Sequence, residues 1–142
     1  MNMNIKRALI AGIAVWIVSF VFGWLTCGWL FNWVYELPPN IWKGPEAMMG
    51  LNMVWMNLVG LFVAIVFALV YALLYKGIPG EGIRKGVMYG FIVWLVGALS
   101  GILPLPFFMT IATGVIIYWI AIDLVRYLLL GVVVAVIYKE VE

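Results

Sequence analysis

Four long apolar stretches constrain this 142-residue chain more than any other feature of its sequence. They cover about residues 8–31, 48–75, 86–103 and 107–138, and each is close to or above the roughly 20 residues that a helix needs to cross a bilayer. The stretches are continuous rather than alternating, which indicates helices and not the strands of a barrel. Hydrophobic residues make up 68% of the chain and charged residues 10%, which is typical of a protein embedded in lipid. We predict a single all-α domain over residues 1–142 with four transmembrane helices.

The distribution of lysine and arginine predicts the orientation of these helices. Positively charged residues collect on the cytoplasmic side of multi-pass membrane proteins. Near the predicted membrane ends, Lys43 alone lies on one side, and the other side carries the rest: Lys6, Arg7, Lys76, Arg84, Lys85 and Lys139. Both termini are therefore predicted to be cytoplasmic, in a multi-pass protein of the cytoplasmic membrane. The first apolar run is too long for a signal peptide and lacks a cleavage site, so we expect it to be retained.

The connections between the helices fit this orientation. Residues 76–86 form the predicted cytoplasmic loop, in which glycine and proline separate two helices. Residues 37–46 form the predicted outer loop. Aromatic residues around the outer loop are typical of an interfacial belt that anchors a protein at the membrane surface: Trp29, Trp33, Tyr35 and Trp42.

The two halves of the chain resemble each other. Residues 6–23, KRALIAGIAVWIVSFVFG, align without gaps on residues 84–101, RKGVMYGFIVWLVGALSG, at an offset of 78. The ends of the second and fourth helices, YALLYK and VAVIYK, correspond at an offset of 63. The pattern predicts two tandem hairpins of like orientation, over about 6–76 and 84–139, related as a parallel repeat by a pseudo-twofold axis along the membrane normal.

Small residues form a stripe along the first and third predicted helices. At about 100° per residue they fall on one face of each helix. Lipid gives little hydrophobic drive for helix association, so close approach of backbones at small residues, as in G-x-x-x-G pairs, supplies much of the packing. A pore lined by glycines is the alternative. We predict a compact four-helix bundle that packs on these positions: Gly12, Ser19, Gly23, Gly86, Gly90, Gly97 and Gly101.

One aspartate and one arginine lie deep in the fourth predicted helix. Asp123 and Arg126 are far from both helix ends, and ionisable side chains at this depth are costly. Their spacing places both on one helix face and suits an ion pair. Because two apolar residues would cost less than a buried pair, stability alone does not explain them. We predict an embedded polar site around this pair. It would be an internal clasp that holds the bundle or oligomer together, a site for a substrate, ion or proton, or a contact with a partner. Further polar residues of similar depth are candidates for the same site: Ser19, Asn57 and Ser100.

The sequence leaves two directions open for the charged face. On a helical wheel, Arg126 and Asp123 lie opposite the small residues Ala121, Gly131 and Ala135 of the same helix. If the small face packs inside the four-helix unit, the charged face meets a second subunit or another membrane protein. If the charged face points inward, the small face makes the oligomer contact. Either arrangement predicts a protein that does not stand alone as a monomer.

Several kinds of chemistry are disfavoured by what the sequence lacks. It has no histidine, and Cys27 is its only cysteine, so we expect no haem, zinc or thiolate-rich metal site and no cofactor. Asp123 is the only aspartate, so one copy offers no embedded carboxylate dyad. Met49, Met53 and Met56 share a helix face, which we interpret as packing rather than copper binding. We expect no catalytic residues, and we read the net charge of +2 as the orientation signal, with no nucleic-acid partner.

The segment KGIPGEGIRKGVMYGFIVWL, together with the closing YK, resembles small four-helix integral membrane proteins of prokaryotes that are uncharacterised. The resemblance covers mainly the second half of the chain and implies no functional residues. Small multidrug transporters are similar in size and helix count, but the glutamate of their first helix is missing here.

Together these patterns favour a non-enzymatic protein that works by association in the lipid bilayer. It would serve as an accessory subunit of a membrane complex or as a homo-oligomeric scaffold, with further copies or other membrane-protein subunits as partners. The alternative is a minimal oligomeric transporter or channel that uses the Asp123 and Arg126 pair.

Overall fold

Four helices dominate the computed structural model, which describes residues 3–139. They are α1 (Ile5–Leu25), α2 (Gly50–Leu74), α3 (Gly82–Val93) and α4 (Thr113–Ile137), and no strand occurs between residues 3 and 139. With their short extensions, four segments are long and apolar enough to cross a membrane: Ile5–Leu30, Gly50–Leu74, Gly82–Phe107 and Thr113–Ile137. The prediction of an all-α chain with four helices long and apolar enough to span a membrane is confirmed for the described residues.

Two of the four spans change their helical winding towards one end. After α1 the chain continues as a π-helix over Thr26–Leu30, and after α3 it continues as a π-helix over Trp94–Leu99. A short α-helical turn, Ser100–Ile102, completes the third span. Because a π-helical turn holds an extra residue, the side chains beyond it are rotated relative to an uninterrupted α-helix.

Helix ends differ from the predicted ones where turn residues, rather than hydropathy, set the boundary. The third helix was expected from residue 86 but begins at Gly82, after a turn in which Gly80 (φ 94°) and Gly82 (φ 51°) adopt conformations that favour glycine. The fourth was expected from residue 107 but begins at Thr113. Residues Leu105–Phe107 form a 3₁₀ turn at the end of the third span, because Pro104 and Pro106 have no amide hydrogen with which to continue the α-helix.

The hydrophobic core lies at one end of the bundle. Helix α1 packs against α2 and α4, and α3 packs against α4. The buried residues concentrate where residues 3–15, 64–78 and 130–138 meet, which we call the termini end; the connections over 31–49 and 103–112 form the opposite, loop end. The core combines small residues with four tyrosines or phenylalanines: Ala8, Ala11, Val15, Ala64, Phe67, Ala68, Tyr71, Ala72, Ile78, Tyr89, Leu130, Val134, Ala135 and Tyr138.

Close helix contacts form at three of the predicted small positions. A Cβ placed on Gly12 would lie 2.8 Å from the Ile65 Cα of α2. A Cβ placed on Gly90 would overlap the Tyr127 carbonyl of α4, and one on Gly86 would overlap the Gly131 carbonyl. These glycines therefore let the helix backbones approach each other closely, which is the kind of packing that replaces the hydrophobic effect between helices in lipid.

The other predicted small positions do not pack in this way. Around Gly23, Gly97 and Gly101, no atom of a neighbouring element in the described part of the chain lies within 4 Å of the place a Cβ would take. For Gly97 and Gly101 the physical reason is the π-helix Trp94–Leu99, which turns them away from the face of α3 that Gly86 and Gly90 present to α4. Their stripe is continuous on an ideal helical wheel and interrupted in the structure.

Candidate functional site

A cleft of about 1180 Å³ opens between α1, α2 and α4 in the loop-end half of the bundle. Its floor is formed by Val15, Phe67 and Leu130, which belong to the hydrophobic core. Trp42 and Lys43 of the 31–49 connection line it at the loop end. The helices are thus packed together at the termini end and spread apart above the core, and we call the space between them the loop-end cleft.

Arg126 is the charged residue of α4 that lines this cleft. Its guanidinium donates from Nε (3.2 Å) and from Nη2 (2.5 Å) to the Ser19 hydroxyl of α1. Since Arg126 lies about midway along α4, this contact joins two spans near the centre of the membrane-spanning region. A neutral hydroxyl satisfies hydrogen bonds but leaves the positive charge uncompensated.

Asp123 forms a loose ion pair with Arg126. Asp123 Oδ1 lies 3.7 Å from Arg126 Nη1, longer than a hydrogen bond between charged groups. The Arg126 side chain is 39% exposed and that of Asp123 is 22% exposed. The aspartate therefore lowers the cost of the embedded cation from a distance at which it forms no hydrogen bond with it.

Both faces of α4 are used inside the chain. On the small face, Gly131 and Ala135 pack against Gly86 of α3, while Arg126, on the opposite face, points between α1 and α2. The sequence offered two alternatives that each left one of these faces for a partner. The structure differs from both because α4 lies between α3 and α1 and contacts each of them.

The remaining predicted polar residues take different places. Asn57 lines the loop-end cleft with Ser19 and Arg126, but its amide donates to the Met53 carbonyl one turn earlier in its own helix. Ser100 is exposed and bonds to the carbonyls of Val96 and Gly97 in its own span. The structure therefore brings together Asp123, Arg126 and Ser19, places Asn57 on the same cleft, and leaves Ser100 apart.

An aromatic cluster borders the loop-end cleft near the membrane surface. The Trp119 indole donates to the Tyr35 hydroxyl (2.9 Å), and Tyr35 in turn donates to Cys27 Sγ (3.5 Å). The Tyr118 hydroxyl also lies 3.4 Å from this sulfur. The Tyr35 ring packs edge-on against Trp42, with centroids 5.0 Å apart. Burial, together with the bond to Cys27, raises the pKa of Tyr35 above its ordinary value, so its hydroxyl stays protonated and remains a donor.

This cluster was not expected from the sequence. The interfacial belt predicted around the outer loop divides into two parts: Trp29 and Trp33 are 64% and 56% exposed, whereas Tyr35 and Trp42 turn towards the cleft. Hydropathy places all four near the surface and does not distinguish them, whereas the 3₁₀ turn over Asn32–Glu36 separates exposed Trp33 from inward-facing Tyr35.

The composition of the cleft wall limits the chemistry that it can support. Among the described lining residues, the charged ones are Lys43 and Arg126, and both are positive. Within residues 3–139, His, Cys, Asp and Glu form no group of three that could hold a metal ion. Met53 and Met56 line the cleft as apolar side chains. The wall is therefore an apolar and aromatic surface with positive charge at its rim and near its floor.

Comparison of the chain with protein-family models, with curated proteins and with solved structures gives no match.

Proposed function

We propose that this is a non-enzymatic, multi-pass protein of the cytoplasmic membrane that works by association, as an accessory subunit of a membrane complex or as a homo-oligomeric scaffold. The observation that carries the proposal is the pair of glycines, Gly97 and Gly101, that no element within residues 3–139 covers. A second transmembrane helix is the partner that such a face suits.

The third span contains two G-x-x-x-G pairs with different surroundings. Gly86 and Gly90 are buried against the backbone of α4. Gly97 and Gly101 have the same spacing but face open space, and neighbouring Val96 is 69% exposed. Because such pairs support close approach between helices in lipid, the first pair holds the chain together and the second is available to another chain.

Replacing the uncovered glycines with leucine tests the proposal directly. We expect wild-type protein, purified in mild detergent, to give an oligomer or a complex with a distinct polypeptide by native mass spectrometry. Gly101→Leu and Gly97→Leu should each weaken that association about tenfold or more, because a leucine holds the two backbones apart.

The matched control for these variants is Gly23→Leu. Gly23 also has open space around it, but it lines the loop-end cleft rather than the third span. Gly23→Leu should keep the wild-type assembly. A wild-type monomer without any bound polypeptide would overturn the proposal, and so would equal association in all three variants.

Two further parts of the proposal concern architecture: a parallel repeat of two hairpins, and cytoplasmic termini. Contacts at the termini end support the repeat. Arg7 at the start of α1 donates to the Lys139 carbonyl after α4 (2.8 Å), and Lys85 near the start of α3 donates to the Tyr75 carbonyl after α2 (2.7 Å). Arg7 and Lys85 are related by the offset of 78 seen in the sequence, so the two bonds link the hairpins reciprocally.

Ring and backbone contacts support the same pseudo-twofold axis. Tyr75 and Tyr138, equivalent at the offset of 63, pack edge-on with centroids 5.7 Å apart, as equivalent residues can when they lie beside such an axis. Gly12 approaches Ile65, and Gly90 approaches the equivalent residue, Leu128.

Orientation can be tested by cysteine labelling in a Cys27→Ser background. With cytoplasmic termini, Asn40→Cys in the 31–49 connection should react with a membrane-impermeant maleimide in intact cells or spheroplasts. Gly77→Cys, at the termini end, should react only after the membrane is permeabilised. The opposite pattern would reverse the topology.

A transporter or channel is the second candidate, because Arg126 lines a cleft that reaches the loop end. Transport would require the floor at Val15, Phe67 and Leu130 to open. Ion flux into liposomes that is lost in Asp123→Asn, with assembly unchanged, would favour this function over association.

A further inference from the structure

We infer that the loop-end cleft is a binding site for a single-chain amphiphile from the bilayer with a carboxylate head, a fatty-acid anion, whose carboxylate pairs with Arg126. This inference is independent of the association proposed above, since the cleft and the Gly97 and Gly101 face are different surfaces.

The charged residues that line the cleft favour a ligand of negative charge. Lys43 at the rim and Arg126 near the floor are both positive, and no acidic residue is among the described residues of the wall. In an apolar surrounding, a positive group interacts strongly with any anion that reaches it, because the dielectric screening of water is missing. The wall is therefore complementary to a mostly apolar molecule with one anionic group.

The hydrogen-bond donors of Arg126 favour a planar anionic group with two oxygens. A guanidinium has five N–H donors in a planar fork. Among residues 3–139, only Ser19 accepts hydrogen bonds from it, through Nε and Nη2, and Asp123 stays 3.7 Å from Nη1. Unused N–H groups away from water are costly. A carboxylate supplies two oxygens in the plane of the fork, which is the geometry that arginine pairs with most strongly.

Depth distinguishes a carboxylate from a bulkier lipid headgroup. Arg126 is the fourteenth of the 25 residues of α4, about 20 Å along the helix from its first residue. A phospholipid headgroup keeps its charge and remains at the interface. A carboxylic acid can enter the cleft in its neutral form, because an apolar surrounding favours protonation. It then binds Arg126 as the anion, with its proton released to water at the loop end.

The extent of the cleft excludes a continuous partner helix as its occupant. Core residues close it at the floor, so a helix crossing the whole bilayer cannot run through it. Its volume of about 1180 Å³ somewhat exceeds the roughly 300–1000 Å³ of typical small-molecule pockets. Trp16, Trp24, Trp42 and Trp119 line it, so a chain bound there would contact indole rings.

Dibromostearate is a suitable probe because bromine quenches tryptophan fluorescence on contact. For protein reconstituted in nanodiscs of neutral lipid, we expect saturable quenching by dibromostearate at neutral pH. Dibromostearyl alcohol, which has the same chain without the charge, should bind about tenfold or more weakly, a difference typical of one charge-assisted pair.

Five variants assign the site. Arg126→Gln should weaken dibromostearate binding about tenfold or more, and Arg84→Gln, outside the cleft wall, should leave it unchanged. Gly23→Leu should reduce binding by filling the cleft, and Gly101→Leu should not. Asp123→Asn should tighten binding about threefold or more, because it removes the carboxylate that competes for Arg126. A variant that failed to fold could not bind more tightly.

Each other outcome overturns the inference and indicates a different occupant. Equal binding of the alcohol, or full binding in Arg126→Gln, would mean an apolar cleft without a carboxylate site. Stronger quenching by a brominated phosphatidylglycerol that displaces the stearate would assign the cleft to a bilayer phospholipid. Absence of quenching by any brominated lipid, in protein that keeps a second polypeptide, would assign it to that partner.

Discussion

Gly90→Ala is expected to lower the free energy of unfolding by about 3 kcal/mol or more, one of the two largest effects we predict. The added methyl group would meet the Tyr127 carbonyl and come within 3.2 Å of the Leu128 Cα, which are parts of a helix backbone and cannot rotate away. The overlap is relieved only if α3 and α4 move apart. That movement also disturbs the buried contacts of Gly86 with Gly131 and Ala135. Thermal and denaturant unfolding in detergent, followed by circular dichroism, measure the change.

Gly97→Ala is the matched control for this prediction. It lies in the same span, but its Cβ would meet no neighbouring element. We expect its unfolding free energy to stay within about 0.5 kcal/mol of wild type, or to rise slightly as glycine is removed from a helix. Equal destabilisation in both variants would show that helix winding, and not the contact with α4, is what the Gly90 variant disturbs.

Asp123→Leu is expected to cost about 3 kcal/mol of stability, because it leaves the Arg126 guanidinium near the middle of the membrane without an opposite charge. This is the lower end of the range for breaking a buried ion pair, as suits a side chain that is 39% exposed towards the cleft. The double variant Asp123→Leu/Arg126→Leu should recover to within about 1 kcal/mol of wild type, since it removes both charges.

A double-mutant cycle with Asp123→Leu, Arg126→Leu and their combination separates charge from packing. The informative quantity is the coupling free energy between the two positions in protein reconstituted in neutral lipid. If the double variant is as unstable as the sum of the single variants, the pair is not coupled. In that case Ser19, and not Asp123, is what holds Arg126 in place.

The sequence predicted the parts of the fold that depend on composition and regular spacing. The four spans follow from apolar runs that need no tertiary information. The packing of Gly86 and Gly90 follows from the period of an α-helix, and it holds because α3 is regular over Gly82–Val93. Where the π-helix Trp94–Leu99 changes that period, the same reasoning misplaced Gly97 and Gly101. No residue pattern in that segment marks the change.

The sequence predicted how far along their helices the residues of the candidate site lie, but not which way their side chains point. Depth alone placed Ser19, Asn57 and Ser100 beside the charged pair, but whether a side chain meets Arg126 depends on the rotation of its helix. Ser19 does so, and Ser100 turns to its own carbonyls. The loop-end cleft could not be predicted, because it results from the spreading of α1 and α2 above the core, and a hydropathy profile contains no information on the distance between helices.

The position of the core also sets the order in which the protein can finish folding. Val134, Ala135 and Tyr138, at the far end of α4, complete a cluster whose other members come mainly from α1 and α2. During synthesis α4 leaves the ribosome after the other three helices, so α1 and α2 enter the bilayer with Tyr71 still uncovered on the side that Tyr138 later occupies. Until α4 arrives, the α1 and α2 pair lacks the ring contact between Tyr71 and Tyr138. During that interval, membrane chaperones and proteases that survey unpaired helices have access to a surface that the finished protein conceals.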